Sequence, residues 1–327
     1  KAAELEEVGL VLSLLPKLVA EGGHKEYVLL LQNNMELRPT GGFLGSYARV
    51  SFTDGHLEDI KVQDIYIPDG QLLGYVQPPE PIKKYLNSNG WFLRDSNWDP
   101  DFTKAAPIIE WFFAQGKEPE ADGTIAVNLY VVQDLLKAVG PVYLADYQET
   151  VTAENLFEKA EAHSEVNFFP GSTQKQDFLS QVAIQLLEEI KAADWRTQVN
   201  ILRAIRDSLK QKQILVWMKD EQIKQVLRQL NWDGKLTTDG GDYLMIVEAN
   251  LGVNKANCCV TRTIDQQVKL TAMGLEEKLT LTYQNNSPGL PDQRPFWAGT
   301  YHNYLRLYLP KTTKLESVTI NSKPLQL

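Results

Sequence analysis

The chain has 327 residues, of which 43% are hydrophobic and 23% charged, and its net charge is -9. This composition is typical of a globular protein with a sizeable core and room for two domains of about 100–200 residues each. The acidic balance, without a dense Lys/Arg run, argues against nucleic-acid binding and against attraction to an anionic membrane surface.

The first 21 residues are predicted to form a helix that serves as a membrane-proximal stalk. No window of about 18 apolar residues occurs, so the sequence itself predicts no membrane span. Because the first residue is Lys1 rather than Met, we expect that an N-terminal membrane anchor has been removed.

Residues 22–254 are predicted to form one α/β domain. "EYVLLLQNN" is an apolar run that indicates a buried strand, and "GFLGSYARVSFTDG" followed by "HLEDIKVQDIYI" indicates a hairpin with an Asp54-Gly55 turn. "DFTKAAPIIEWFFAQG" is a predicted helix with Asp101 or Thr103 at its start and Gly116 past its end. "DGTIAVN", "LYVVQDLLKAVG" and "PVYL" then alternate strand, helix and strand, which predicts a sheet with helices on its faces.

Residues 255–327 read as a smaller, antiparallel β-sandwich-like domain. "CCVTRTIDQQVKL", "EKLTLTYQNN" and "YHNYLRLYLP" alternate polar and apolar residues, with turns but no helices between them. No closing strand is evident, so we expect this domain to be truncated. Cys258 and Cys259 would lie on a strand with their side chains on opposite faces, which predicts that they do not bridge each other.

No strong catalytic motif is present. The four histidines are scattered and form no HExxH, which makes a zinc site improbable, and the chain has no GxSxG elbow, Walker A loop or GxGxxG. Three polar clusters remain as candidate sites.

The first cluster follows the first buried strand, within "NNMELRPTGG". In open α/β sheets ligands bind beyond the carboxyl ends of strands, glycines allow close backbone approach, and Arg38 offers a fork for phosphate or carboxylate. The alternative is a structural loop in which the asparagines cap turns and Arg38 pairs with Glu36.

The second cluster is "VQDIYIPDG". Asp64 and Asp69 stand around a strand end, where two carboxylates can hold Mg²⁺ beside phosphate oxygens. Acidic turn residues are also common, so a purely structural role is the alternative.

The third cluster, "WFLRDSNWDPDF", concentrates tryptophans, Arg94, Asp95, Asp99 and Asp101 within residues 91–102. Trp and Arg recur together at buried recognition sites. The alternative is that Arg94 pairs with an aspartate and ties this loop onto the core.

These stretches carry a family resemblance. "LLLQNNMELRPTGGFLGSY", "LRDSNWDPDF" and "DGTIAVNLYVVQDLLKAVGPV" resemble the signature of bacterial domain-of-unknown-function family 4012, over about residues 22–255. The order of motifs is also similar, more distantly, to the LytR-CpsA-Psr family of extracytoplasmic enzymes. Those enzymes move glycopolymers from a polyprenyl-pyrophosphate carrier onto the cell wall with magnesium, and the resemblance implies a central mixed sheet flanked by helices.

The sequence departs from that pattern at the family's two pyrophosphate arginines. Gly42 and Phe43 fall near the first position, and Pro68 is followed directly by Asp69 at the second. Losing charge-assisted contacts to phosphate weakens both binding and transfer. Three other arginines are candidates to substitute for them: Arg38, Arg49 and Arg94.

The resemblance therefore implies an envelope protein with one of two functions. The first is binding of a polyprenyl-(pyro)phosphate-linked lipid or cell-wall glycan, with phosphotransfer as its chemistry, and it predicts an apolar tunnel opening near the charged residues. The second is a non-catalytic surface or scaffolding protein that contacts other envelope proteins, and it predicts a filled core without convergent charge. For the first function the catalytic candidates are Arg38, Asp69 and Arg94, the metal candidates are Asp64 and Asp69, and the ligand-binding candidates are Asn33, Asn34, Gly41, Gly42, Ser46, Asp95 and Asp101.

Overall fold

The computed structural model describes residues 2–165, 174–237, 241–272, 274–287 and 299–325. Its helices are α1 (Ala2–Leu18), α2 (Tyr66–Asp69), α3 (Glu80–Leu86), α4 (Phe102–Gln115), α5 (Leu129–Val139), α6 (Leu156–Glu165), α7 (Gln174–Ala192), α8 (Trp195–Lys210) and α9 (Glu221–Gln229). Its strands are β1 (His24–Asn33), β2 (Phe43–Thr53), β3 (His56–Asp64), β4 (Gly123–Asn128), β5 (Val142–Leu144), β6 (Glu149–Val151), β7 (Ile214–Met218), β8 (Met245–Asn250), β9 (Val260–Thr271), β10 (Gly274–Asn285), β11 (Asn303–Tyr308), β12 (Thr319–Ile320) and β13 (Lys323–Pro324).

The centre of the molecule is a five-stranded mixed sheet in the order β3-β2-β1-β4-β7. Strands β1 and β4 are parallel, and the other neighbouring pairs are antiparallel. The β2–β3 hairpin turns at Asp54 and Gly55, whose φ angles of 49° and 84° suit the two-residue turn that matches strand twist. The predicted α/β fold with a mixed sheet and flanking helices is confirmed.

Helices cover both faces of this sheet because alternate residues of β1 point to opposite sides. Val28 and Leu30 pack with α4, whereas Tyr27 and Leu29 pack with α5, α8 and α9. Asp101 caps the start of α4 by accepting a hydrogen bond from the backbone N–H of Thr103 at 3.1 Å. The core between sheet and α4 is filled by fully buried side chains that include Phe102 and Ile109. The charged loops described below lie at the carboxyl end of β1, above this core.

Antiparallel two-stranded sheets make up the C-terminal region, as the alternation predicted. Strand β9 pairs with β10 along twelve residues each, and β12 pairs with β13. Strand β8, which precedes this region in the chain, pairs with β11 within it. The two parts of the chain therefore share a sheet.

The two cysteines contradict the sequence analysis. Cys258 ends a 3-10 helix (Ala256–Cys258) instead of lying on a strand, and it is joined to Cys259 by a disulfide between neighbours. The prediction that they do not bridge is wrong because side chains alternate between faces only on a strand.

Among the described helices, none is both long and apolar enough to cross a lipid bilayer.

Candidate functional site

The three polar clusters, which are far apart in the sequence, meet in the folded chain. Arg38 comes from the loop after β1, Asp69 from the end of α2, and Arg94 and Asp95 from a 3-10 helix (Leu93–Asp95). Arg38 contacts Asp95, and Arg94 contacts both aspartates. We call these four residues the charged cluster.

Arg38 is buried, and protein groups occupy its whole guanidinium. Nε and Nη2 donate to Asp95 Oδ1 at 3.4 and 3.3 Å, and Nη2 also donates to Glu36 Oε1 at 3.0 Å. Nη1 donates to the carbonyl oxygens of Leu37 at 3.1 Å and Asn250 at 2.8 Å. Because a guanidinium has five N–H groups, none remains for a ligand.

Arg94 is the more accessible arginine of the cluster, since 24% of its side chain is exposed. Nη1 donates to Asp69 Oδ2 at 2.8 Å, and Nε lies 3.8 Å from Asp95 Oδ2. The guanidinium lies over the rings of Phe92 at 4.2 Å and Tyr66 at 5.3 Å. This is the ion pair that the sequence analysis gave as the structural alternative, with one edge open to solvent.

Burial dominates the electrostatics of two carboxyls here. It raises the pKa of Glu36 above the usual range, and the nearby charges of Arg38 and Lys255 only partly oppose the rise. It likewise raises the pKa of Asp69 against the opposing effect of Arg94. Desolvation therefore favours the neutral forms of both groups.

The predicted metal residues do not fit a magnesium site in this arrangement. Asp69 accepts from the backbone N–H of Leu93 at 2.7 Å with one oxygen and from Arg94 with the other. Asp64 accepts from the backbone N–H of Tyr66 at 2.8 Å. In the described part of the chain, no three His, Cys, Asp or Glu side chains group as metal ligands would. We derive no chemistry through magnesium.

Gly41 and Gly42 allow close packing of the backbone. Gly41 has a φ of 145°, and a Cβ there would overlap Asn128. A Cβ on Gly42 would overlap the backbone of Asn33. Both glycines lie against protein atoms, as in the structural alternative for this loop.

A buried amide network beneath this loop was missed by the sequence analysis. Asn97 Nδ2 donates to the Gln32 side chain at 3.1 Å, to the Thr40 hydroxyl at 2.9 Å and to the Gly42 carbonyl at 2.9 Å. Gln32 in turn donates to Asn128 Oδ1 at 2.9 Å. The one available signal was the position of Asn97 inside "RDSNWD", beside the charged residues.

The remaining predicted ligand-binding residues take no part in the contacts described for the charged cluster. Asn33 donates to Glu161 of α6 at 2.9 Å, and Asp101 caps α4. Asn34 and Ser46 are buried, and their side-chain polar atoms have no hydrogen-bond partner in the described structure.

An apolar hollow of about 300 Å³ lies between α4 and the segment that precedes the 3-10 helix of the charged cluster. Its walls are Trp91, Pro107, Ile108, Trp111 and Phe112. The Trp91 indole N–H donates to the Asp95 carbonyl at 3.1 Å, which ties this hollow to the cluster. Each functional hypothesis thus retains one expected feature. Charged side chains converge, as the lipid- or glycan-binding hypothesis requires, whereas the core is filled, as the scaffolding hypothesis requires.

One family model matches part of the chain. A family model described as "Protein of unknown function (DUF4012)" matches residues 22–163. All three polar clusters, and with them the charged cluster, lie within the matched residues. A comparison with curated proteins finds no match.

Several solved structures are similar to this chain. Protein gbs0355 from Streptococcus agalactiae is 14% identical, with 69% of this chain and 80% of that chain covered and a TM-score of 0.41. TagV from B. subtilis is 13% identical, with 68% and 87% covered and a TM-score of 0.35. Lin1025 from Listeria innocua is 10% identical, with 81% and 94% covered and a TM-score of 0.35.

Proposed function

We propose that this protein is a non-catalytic bacterial cell-envelope protein with a LytR-CpsA-Psr-like α/β domain. In this proposal the protein lies outside the cytoplasm, is held at the membrane by an N-terminal anchor, and contacts other envelope components. The envelope location rests on the order of sequence motifs.

One observation supports the loss of catalysis. Arg38, the buried arginine nearest the expected pyrophosphate position in the chain, has all five N–H groups occupied by Glu36, Asp95 and two backbone carbonyls. A phosphate would have to displace two carboxylates that lie inside the protein. Removing one partner of a buried ion pair is strongly unfavourable, so the cluster is better suited to joining loops than to transferring phosphate.

The C-terminal region supports a role in partner contacts. In the β9–β10 hairpin one face is polar, whereas the other carries exposed apolar side chains: Ile264, Val268, Leu270 and Leu275. An exposed apolar face of this kind often marks a contact surface.

The second candidate is binding of a polyprenyl-(pyro)phosphate lipid, and Arg94 is the observation that favours it. Arg94 is partly exposed, stacks on aromatic rings and follows, three positions later in the chain, Trp91 of the apolar hollow. A headgroup phosphate at Arg94 would compete with Asp69 for the guanidinium.

A thermal-shift titration with a polyprenyl pyrophosphate, with and without Mg²⁺, separates the two candidates. A ligand that binds only the folded state raises the melting temperature with its concentration. We expect no shift for the wild type. A shift that disappears in Arg94→Gln but persists in the control Arg196→Gln, an exposed arginine of α8, would contradict a role limited to protein contacts and support the lipid binder.

A further inference from the structure

An aromatic surface with one arginine lies where the C-terminal strands meet the α/β domain. Tyr85 comes from the last turn of α3, Trp98 from the loop before α4, and Tyr304 and Arg306 from β11. We call these four residues the aromatic–arginine surface. None of them belongs to the charged cluster.

The rings form a continuous row. Tyr304 lies 6.2 Å from Tyr85 and 5.5 Å from Trp98, measured between ring centroids. The Tyr85 side is open to solvent, with 53% of that residue exposed. One exposed ring and two half-buried rings, gathered from three chain segments, offer a platform for the apolar face of a ligand.

Arg306 differs from the arginines of the charged cluster because no carboxylate pairs with it in the described structure. Its guanidinium lies 4.8 Å from the centroid of Trp98 and 6.0 Å from that of Tyr304. Nη2 donates to the Trp98 carbonyl at 2.9 Å, and Nη1 lies 3.4 Å from the Tyr308 hydroxyl. Each terminal nitrogen carries two N–H groups, so each keeps one for a further acceptor. A half-buried, uncompensated cation is best satisfied by an anion.

The surroundings of Tyr85 add hydrogen-bonding groups. Lys84 Nζ lies 5.0 Å from the centroid of the Tyr85 ring, and the exposed Asn87 and Asn89 follow within four residues of Tyr85. Aromatic rings flanked by amides and by a few cationic side chains suit an anionic saccharide, whose C–H face packs on a ring while its hydroxyls and its charge bond to polar groups. The net charge of -9 argues against a polyanion such as nucleic acid.

We propose that the aromatic–arginine surface binds a saccharide that carries a carboxylate or a phosphate. Tyr85 packs against the sugar ring, and Arg306, held between Trp98 and Tyr304, binds the charged group. Both Tyr85 and Arg306 lie about 6 Å from the Tyr304 ring, close enough for one di- or trisaccharide to contact both. This inference deepens the proposed function by naming a ligand class, and it rests on the envelope location while using none of Arg38, Asp69 or Arg94.

Isothermal titration of the full chain with three matched probes tests this proposal. The probes are sialyllactose, which supplies a carboxylate, lactose phosphate, and uncharged lactose. We expect at least one anionic probe to bind about tenfold or more tightly than lactose, which corresponds to about 1.4 kcal/mol. The probe that binds identifies which anion the surface accepts.

Two variants and one control make the test specific. Arg306→Gln should remove the preference for the anionic probe, and Tyr85→Ala, which changes an exposed ring, should weaken binding of every probe. Arg196→Gln is the matched control, because Arg196 also stacks on a tryptophan, Trp195, at 5.4 Å but contacts no second ring among the described residues. The proposal is overturned if no anionic probe binds at millimolar concentration, if lactose binds equally well, or if Arg306→Gln binds like the wild type. None of these outcomes bears on the thermal-shift test with polyprenyl pyrophosphate, so the two proposals fail independently.

Discussion

Arg38 shows how a residue that resembles a ligand-binding arginine can be structural. It holds the loop after β1 against Asp95 of the 3-10 helix and against the end of β8, through the carbonyl of Asn250. Its neighbours Glu36 and Asp95 are also buried. Removing the guanidinium takes away the hydrogen-bonding partner of both carboxyls and leaves only the more distant charges of Lys255 and Arg94 to compensate them.

We expect Arg38→Ala to lower the free energy of unfolding by about 3–5 kcal/mol, the range for breaking a buried ion pair. Urea unfolding measures the change. The exposed control Arg196→Ala should change stability by no more than about 0.5 kcal/mol. A small loss of unfolding free energy in Arg38→Ala would mean that water can replace the hydrogen bonds of the buried guanidinium.

The raised pKa values of Glu36 and Asp69 predict a pH dependence of stability. Each group binds its proton more tightly in the folded state, so its contribution is fully present below the unfolded pKa of about 4 and is lost as pH rises through the folded value. We expect Asp69→Asn to make the free energy of unfolding depend less steeply on pH across this window. The control Asp54→Asn, in the exposed β2–β3 turn, should keep the wild-type slope, and an unchanged slope in Asp69→Asn would refute the assignment.

At the scale of elements, the β1–β2 connection depends on glycine for a steric reason. Gly42 lies against the backbone of Asn33. Backbone atoms cannot move away from an added Cβ as the end of a flexible side chain can. Asn97 then fixes the same loop by donating hydrogen bonds to the Thr40 hydroxyl and the Gly42 carbonyl. The loop is therefore a packed part of the core.

We expect Gly42→Ala to cost about 1–3 kcal/mol of unfolding free energy, the usual cost of overpacking. Gly23→Ala is the matched control, because no atom lies within 4 Å of its would-be Cβ. Thermal or urea unfolding compares the two variants. Equal stabilities would show that the loop backbone yields without cost.

At the scale of the whole molecule, Glu248 of β8 connects the C-terminal hairpin to the rest of the chain. It pairs with Arg262 of β9 and accepts from the hydroxyls of Tyr283 at 2.8 Å and Tyr301 at 2.6 Å. Burial beside this carboxylate raises the pKa of Tyr283 to about 12, so its hydroxyl stays a donor at neutral pH. A two-stranded hairpin is marginally stable alone, so this attachment determines how well it is held.

Glu248→Gln should loosen the hairpin without affecting the central sheet. Hydrogen exchange should accelerate about tenfold or more in residues 260–285, equivalent to about 1.4 kcal/mol, while β1 and β2 remain protected. The control Glu276→Gln, at the exposed end of the hairpin, should leave exchange near Glu248 unchanged. Acceleration throughout the central sheet would instead indicate global destabilisation.

The sequence by itself determined the elements and their class, because they depend on local patterns. The apolar run of β1, the Asp54-Gly55 turn and the Asp101 cap each act over a few residues and were found where predicted. The residues of the three polar clusters were also recognisable from composition. Only the tertiary structure decided which groups contact and neutralise one another. Arg38 contacts Asp95, which lies 57 positions away in the sequence, and the carbonyl of Asn250, which lies 212 positions away. The same limit explains the missed Asn97 network and the pairing of β8 with β11, since the partners there come from distant segments. The Cys258–Cys259 bridge was missed because the backbone there forms a 3-10 helix instead of the expected strand.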